Sequence, residues 1–130
     1  MSTDLTYLAL TALLTGCLWI PYVACQVMTN GLLQPENYAD PKPRPLPLWG
    51  ERANRALMNA VETFAPFAAL VLVAHIAGKS NGWTAFFAMS YFWLRLIHAV
   101  VYLTGIPYIR TLIFTLGWVA MVGIFWQLIA

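Results

Sequence analysis

Four polar residues, Arg52, Arg55, Asn59 and Glu62, stand at i, i+3, i+7 and i+10 in a stretch otherwise built mostly of alanine, leucine, valine and phenylalanine. At about 100° per residue they share an arc of roughly 80° on a helix. A second set repeats the pattern. Arg95, His98 and Tyr102 stand at i, i+3 and i+7, and Tyr91, four residues before Arg95, joins them within roughly 60°. Ionisable groups on a membrane helix are costly and normally face a bundle interior or a wet cavity, so each stripe marks a candidate site. A buried Arg95 requires a partner, and Glu62 is the only carboxylate placed well within an apolar run. The two are therefore expected to pair, within one subunit or across two, in a bidentate bond that offsets part of the cost of burying both. Pro66 has no N–H for the carbonyl of Glu62, four residues back, so a kink is expected beside that carboxylate.

Elements able to position these stripes follow from composition. The chain has 130 residues, of which 61% are hydrophobic and 9% charged, far from the usual quarter charged of soluble domains. It is an integral membrane protein by this reading. A net charge of +2, scattered along the chain, gives no basis for nucleic-acid binding. Cys17 and Cys25, eight residues apart on one expected helix, are separated by roughly 12 Å of helical rise, too far for a bridge. No cysteine–histidine cluster has zinc spacing, so no metal ligand is assigned.

Apolar runs long enough to cross a hydrocarbon core, which takes about 20 residues, predict helices over about residues 5–28, 50–77, 83–103 and 108–128, with one long loop at 29–49. Pro21 falls inside the first and is a candidate kink. Leu14-Thr15-Gly16-Cys17 has the form of a lipoprotein cleavage box, but residues 1–4 carry Asp4 and no Lys or Arg, against a signal-peptide reading. The long loop holds Asp40-Pro41-Lys42-Pro43-Arg44-Pro45-Leu46-Pro47, whose alternating prolines favour extended polyproline geometry. Loops of this length are often lids or binding segments, and the competing reading is a connector on the membrane surface. His75 reads as an interfacial polar group rather than a ligand, and Leu48 and Trp49 as an interfacial anchor. Short second and third connections make the whole an all-α, up-down-up-down four-helix bundle. Lys42, Arg44, Arg52, Arg55 and Arg110 share one side and Lys79 stands alone on the other. The positive-inside rule then turns both termini away from the cytoplasm.

At these residues the chain resembles the MAPEG family, the membrane-associated proteins in eicosanoid and glutathione metabolism, in its bacterial-type members. The pattern that carries the resemblance is Glu51-Arg52-x-x-Arg55-Ala56-x-x-Asn59-x-x-Glu62-x-x-x-Pro66-Phe67, then Arg95-x-x-His98-x-x-x-Tyr102, then Arg110. Four helices, a long first loop and the chain length agree with it. The resemblance implies a homotrimer in a bacterial inner membrane, with glutathione as co-substrate held between neighbouring subunits near the cytoplasmic face. It implies that Arg52, Arg55, Asn59 and Glu62 bind the tripeptide together with Arg95, His98 and Tyr102. Arg110 would match the arginine that stabilises the thiolate. A thiol of pKa near 8.5 beside a guanidinium ionises more readily at neutral pH. The acceptor would be a lipophilic electrophile or lipid peroxide arriving from membrane lipid, the activity of a microsomal-type glutathione transferase or peroxidase.

Two other classes compete. A non-catalytic lipid-binding or scaffold member of the same family would retain the stripes without turnover. A small four-helix proton-coupled exporter would need a carboxylate in its first span, and residues 5–28 contain none. Taken alone, Arg52 and Arg55 also suit headgroup anchors at a helix mouth, whereas Asn59, Glu62 and Arg95 lie deeper.

Overall fold

The computed structural model describes residues 1–30, 46–106 and 108–130. The proline-rich segment with Lys42 and Arg44, on which the loop reading and part of the orientation argument rest, lies outside the described residues. Five helices account for nearly all of the remainder: α1 (Thr3–Cys17), α2 (Trp19–Asn30), α3 (Leu48–Ile76), α4 (Gly82–Thr104) and α5 (Ile109–Ile129). They make four candidate membrane spans, because α1 and α2 form one apolar passage over Thr3–Thr29.

That first passage is interrupted at Leu18, three residues before the proline expected to disturb it. Pro21 offers no N–H to the carbonyl of Cys17, and the chain tightens there, the Leu18 N–H donating to Thr15 O at 3.3 Å, a reach of three residues instead of four. In α3 the helix continues through Pro66 to Ile76. Both ends of α4 follow ordinary capping chemistry, whereas α3 and α5 begin without a side-chain cap. Pro47 precedes α3, and its carbonyl accepts from the N–H groups of Gly50 (2.9 Å) and Glu51 (3.2 Å). Asn81 starts α4 with a reciprocal box, its Oδ1 accepting from Thr84 N at 3.0 Å while Thr84 Oγ1 accepts from Asn81 N at 2.8 Å. At the other end of α4, Gly105 takes the left-handed conformation (φ 78°) that closes a helix without steric penalty.

The α4 helix sits at the centre, packed on α1, α3 and α5, while α2 packs on α3. Short α3–α4 and α4–α5 turns hold those neighbours antiparallel, giving the four-helix membrane bundle. Lipid tails are as apolar as leucine, so helices in a membrane associate through close packing and hydrogen bonds. The buried face of α3 is accordingly narrow: Ala53, Ala56, Ala60 and Ala74, with Phe67 and Val71 the large members. Phe67 stacks on Tyr91 of α4, ring centroids 3.9 Å apart and planes 16° from parallel. The Tyr91 hydroxyl donates to Thr63 O at 3.2 Å, so the ring is fixed at both its apolar and its polar end. Trp83 and Trp93 stand exposed on the outer surface with many of the large aliphatic residues, as a lipid-facing exterior requires.

Candidate functional site

The α4 stripe turns inward. Tyr91, Arg95 and His98 are buried, at 1%, 6% and 3% exposure, and Tyr102 is half-buried one turn further on. The α3 stripe is divided. Asn59 and Arg52 are half-buried, while Arg55 and Glu62 are exposed. Helical geometry explains the division. On a wheel of about 100° per residue, the buried alanines of α3 centre roughly 70° to 90° from Arg52 and Asn59, but roughly 130° to 150° from Arg55 and Glu62. One arc thus straddles the seam between protein interior and surroundings.

The pairing expected between Arg95 and Glu62 within a subunit does not form. Arg95 Nη2 donates instead to Asn59 Oδ1 at 2.9 Å, and Glu62, three residues and most of a turn beyond Asn59, points away on the outer side. An amide answers the guanidinium because Asn59 lies at the inward edge of the stripe. Thr63, on the next turn, is tied back to the same residue, its hydroxyl donating to Asn59 O at 2.9 Å.

Asn59, His98, Tyr102 and Arg110 line a common cleft of about 160 Å³, closed by Thr111 and Phe114 of α5. It opens at the end of the bundle where α3 begins, α4 finishes and α5 begins. The guanidinium of Arg110 lies over the Tyr102 ring, 4.9 Å from its centroid, a cation–π contact that holds the charge in place while leaving its N–H groups able to donate elsewhere. The Tyr102 ring in turn sits 5.5 Å from the ring of His98, and the Phe114 ring lies 6.2 Å from the same imidazole. His98 Nδ1 is buried with no hydrogen-bond partner among the described residues. Arg52 reaches the same end from α3, its guanidinium lying against Gly105, where any Cβ would collide with it.

Of the eight residues singled out in the sequence, four therefore line one cleft, Arg95 stands directly behind it through Asn59, and Arg52 lies by the α4 terminus. Arg55 and Glu62 face out of the chain. Thr111 and Phe114 were not anticipated. The α5 helix is apolar on every side, so no polar stripe identified its inward face; the one available signal was spacing, Phe114 lying four residues after Arg110 on the same side. No group of three or more potential metal ligands occurs among the described residues.

The fold and the cleft define a class: a small helical membrane protein with cationic and aromatic groups gathered at one end of a four-span bundle. The chain belongs to the MAPEG family, whose model matches residues 5–130, nearly its whole length. No curated protein matches it.

Proposed function

We propose that the protein is a glutathione-dependent, or other thiol-dependent, transferase or peroxidase that modifies lipophilic electrophiles within the membrane, with Arg110 stabilising the attacking thiolate. Family membership supports the reading in outline, since the family includes glutathione transferases and peroxidases as well as non-catalytic members. The observation that carries it is the posture of Arg110: a guanidinium fixed over Tyr102 at the rim of a cleft that also holds His98 and Asn59. A thiol placed there loses its proton to water at the mouth more readily than in solution, because the guanidinium favours the anion. The sulfur lone pair then attacks the electrophilic atom of the acceptor, and the leaving group departs with its bonding electrons.

The cleft of one chain, at about 160 Å³, is smaller than the roughly 300–1,000 Å³ of typical small-molecule sites. A tripeptide needs further walls. Arg55 and Glu62 face outward beside the cleft end of α3, and in a homotrimer they would contribute to the site of a neighbouring copy. We take this end as the cytoplasmic one by the positive-inside rule, which Arg52, Arg55 and Arg110 support here against Lys79 at the other end.

The alternative, a non-catalytic lipid-binding or scaffold member, has one observation in its favour. Arg95, the most deeply set cation among the described residues, is held by Asn59 in a contact that joins α3 to α4 and needs no ligand. Binding of glutathione to purified protein, followed by conjugation of a model electrophile, separates the two. The enzyme reading expects binding by wild type, weaker binding by Arg55→Ala and Glu62→Ala, and turnover that depends on Arg110. Binding without turnover favours the second reading, and equally weak binding by all three proteins removes the assigned site.

A further inference from the structure

Helix α5 starts from a residue whose backbone is under strain. Tyr108, immediately before it, has φ 58° and ψ −56°, the only positive φ outside glycine among the described residues. Such a conformation persists only where the surroundings dictate it. The Tyr108 side chain does not supply that constraint, being 87% exposed, and no side chain caps the helix it precedes. The turn is instead held on either side. Downstream, Arg110 is laid over the Tyr102 ring of α4. Upstream, Gly105 is covered by Arg52: a Cβ at Gly105 would collide with the central carbon of the guanidinium and stand 2.7 and 2.8 Å from its two Nη atoms. Those near-equal distances mean that the guanidinium lies flat across the glycine, where a side chain would otherwise be. The first turn of α5 hangs on Tyr108, whose carbonyl accepts from Thr111 N at 3.1 Å and Leu112 N at 3.2 Å. The direction in which Tyr108 launches the helix therefore sets where Arg110 stands.

We propose that Arg52 is a positioning residue for Arg110, clamping the end of α4 from α3 and so fixing where α5 begins, and that it does not itself bind the thiol compound. The proposal rests on Arg110 being the group that stabilises the thiolate, and it takes Arg52 out of the set of ligands that the family pattern implies. Charge and footing both suit Arg52 to the task. The last turn of α4 contains no basic residue, and a cation at the negative end of a helix is stabilising; Arg52 brings one from a different helix. Its own backbone is firmly set, since Gly50 and Ala53 on either side are buried, Gly50 against Cys25 of α2. Arg52 and Arg55, three residues apart on one stripe, thus differ in kind. Arg52 is half-buried and committed to the turn, whereas Arg55 is exposed.

Steady-state kinetics with glutathione, paired with amide hydrogen exchange of the unliganded protein in detergent, test the clamp in Arg52→Gln, Arg52→Lys and Tyr108→Gly. Arg52→Gln should lower kcat by up to about a hundredfold, the cost of displacing a catalytic group by ~1 Å. It should also move the rise of rate with pH upward, while KM for glutathione stays near wild type. Arg52→Lys, which keeps a cation at the helix end, should recover part of both. Added to Arg110→Ala, Arg52→Gln should change neither further, because a residue that acts through another has no effect once that other is gone. Tyr108→Gly relieves the backbone, so it should unfold no earlier than wild type yet shift the pH profile in the same direction, which separates loss of position from loss of stability. Exchange at the Thr111 and Leu112 amides should quicken in Arg52→Gln and Tyr108→Gly, and not in Arg55→Gln. If Arg52→Gln instead raises KM with kcat and pH profile intact, Arg52 is a ligand and the clamp is overturned; unchanged exchange at the two amides overturns it as well. If wild type neither binds nor turns over glutathione, the thiol reading falls, and the exchange rates alone then uphold the clamp or sink it.

Discussion

Arg95 of α4 donates to Asn59 of α3 across 2.9 Å, and both residues are set within apolar helices. A buried hydrogen bond to a charged group contributes about 1.5–3 kcal/mol, and losing one partner leaves the other uncompensated. Asn59→Ala should therefore lower stability by about 1.5–3 kcal/mol, read as an earlier thermal unfolding midpoint in detergent. Replacing both groups, as in Asn59→Leu with Arg95→Met, should recover most of the loss, since apolar pairs of similar volume often substitute for buried polar ones with little cost. A double variant no more stable than the single would sink this account.

Gly105 and Arg52 offer a second test, with an internal control. Gly105→Ala places a side chain in the left-handed region, costing about 1–2 kcal/mol, and pushes aside the Arg52 guanidinium. Gly78 has a similar φ, 70° against 78°, but open space around it. Gly78→Ala should show the backbone cost alone. The extra destabilisation in Gly105→Ala, together with any loss of anion binding, measures the Arg52 contact, and equal midpoints with equal binding would deny it.

Close packing of α2 on α3 depends on Gly50, since a Cβ there would collide with Cys25 Sγ. Gly50→Ala should cost about 1–3 kcal/mol as an overpacked contact. Cys25→Ala in the same background should restore much of it by vacating the space. Thermal unfolding of the two variants against wild type decides the matter, and a single variant as stable as wild type would show that the helices can part freely.

For the proposed chemistry, Arg110→Ala should reduce kcat by about 10²–10³, the usual effect of removing one group that stabilises developing or full negative charge in an active site. The sign of the pH effect follows from linkage. A guanidinium lowers the pKa of a bound thiol, so removing it should move the rise of the rate with pH upward, toward the ordinary thiol value near 8.5. Tyr102→Leu, which removes the ring beneath Arg110, should move the profile in the same direction by less. Stopped-flow rates across pH, with thiolate absorbance as a second readout, check both.

Assembly is predicted through the outward edge of the α3 stripe. Glu62→Lys and Arg55→Glu are exposed substitutions that should leave the unfolding of a single chain within about 0.5 kcal/mol. Both should weaken the homotrimer, which native mass spectrometry from mild detergent would resolve. A monomeric wild type, or a trimer untouched by either charge reversal, would place these residues at the lipid surface.

Much of the fold was legible because a bilayer leaves so few options. Apolar runs of sufficient length, breaks at Gly78 to Gly82 and at Gly105, and polar residues in helical register together specify four packed spans. The same register located both stripes, and the family pattern runs through them. What the register could not resolve was which edge of the α3 arc faces inward. Residues only roughly 40° to 80° apart on a helix can end on opposite sides of a packing seam, and part of that seam is drawn by where Ala60 and Phe67 meet α4. Hence Asn59 rather than Glu62 answers Arg95. Helix α5 was opaque for the opposite reason: apolar all round, it carried no periodic signal, so only its packing on α4 brought Phe114 and Thr111 to the cleft. Chemical type and helical spacing are properties of the chain, but the choice of inward edge belongs to the fit of one helix surface on another.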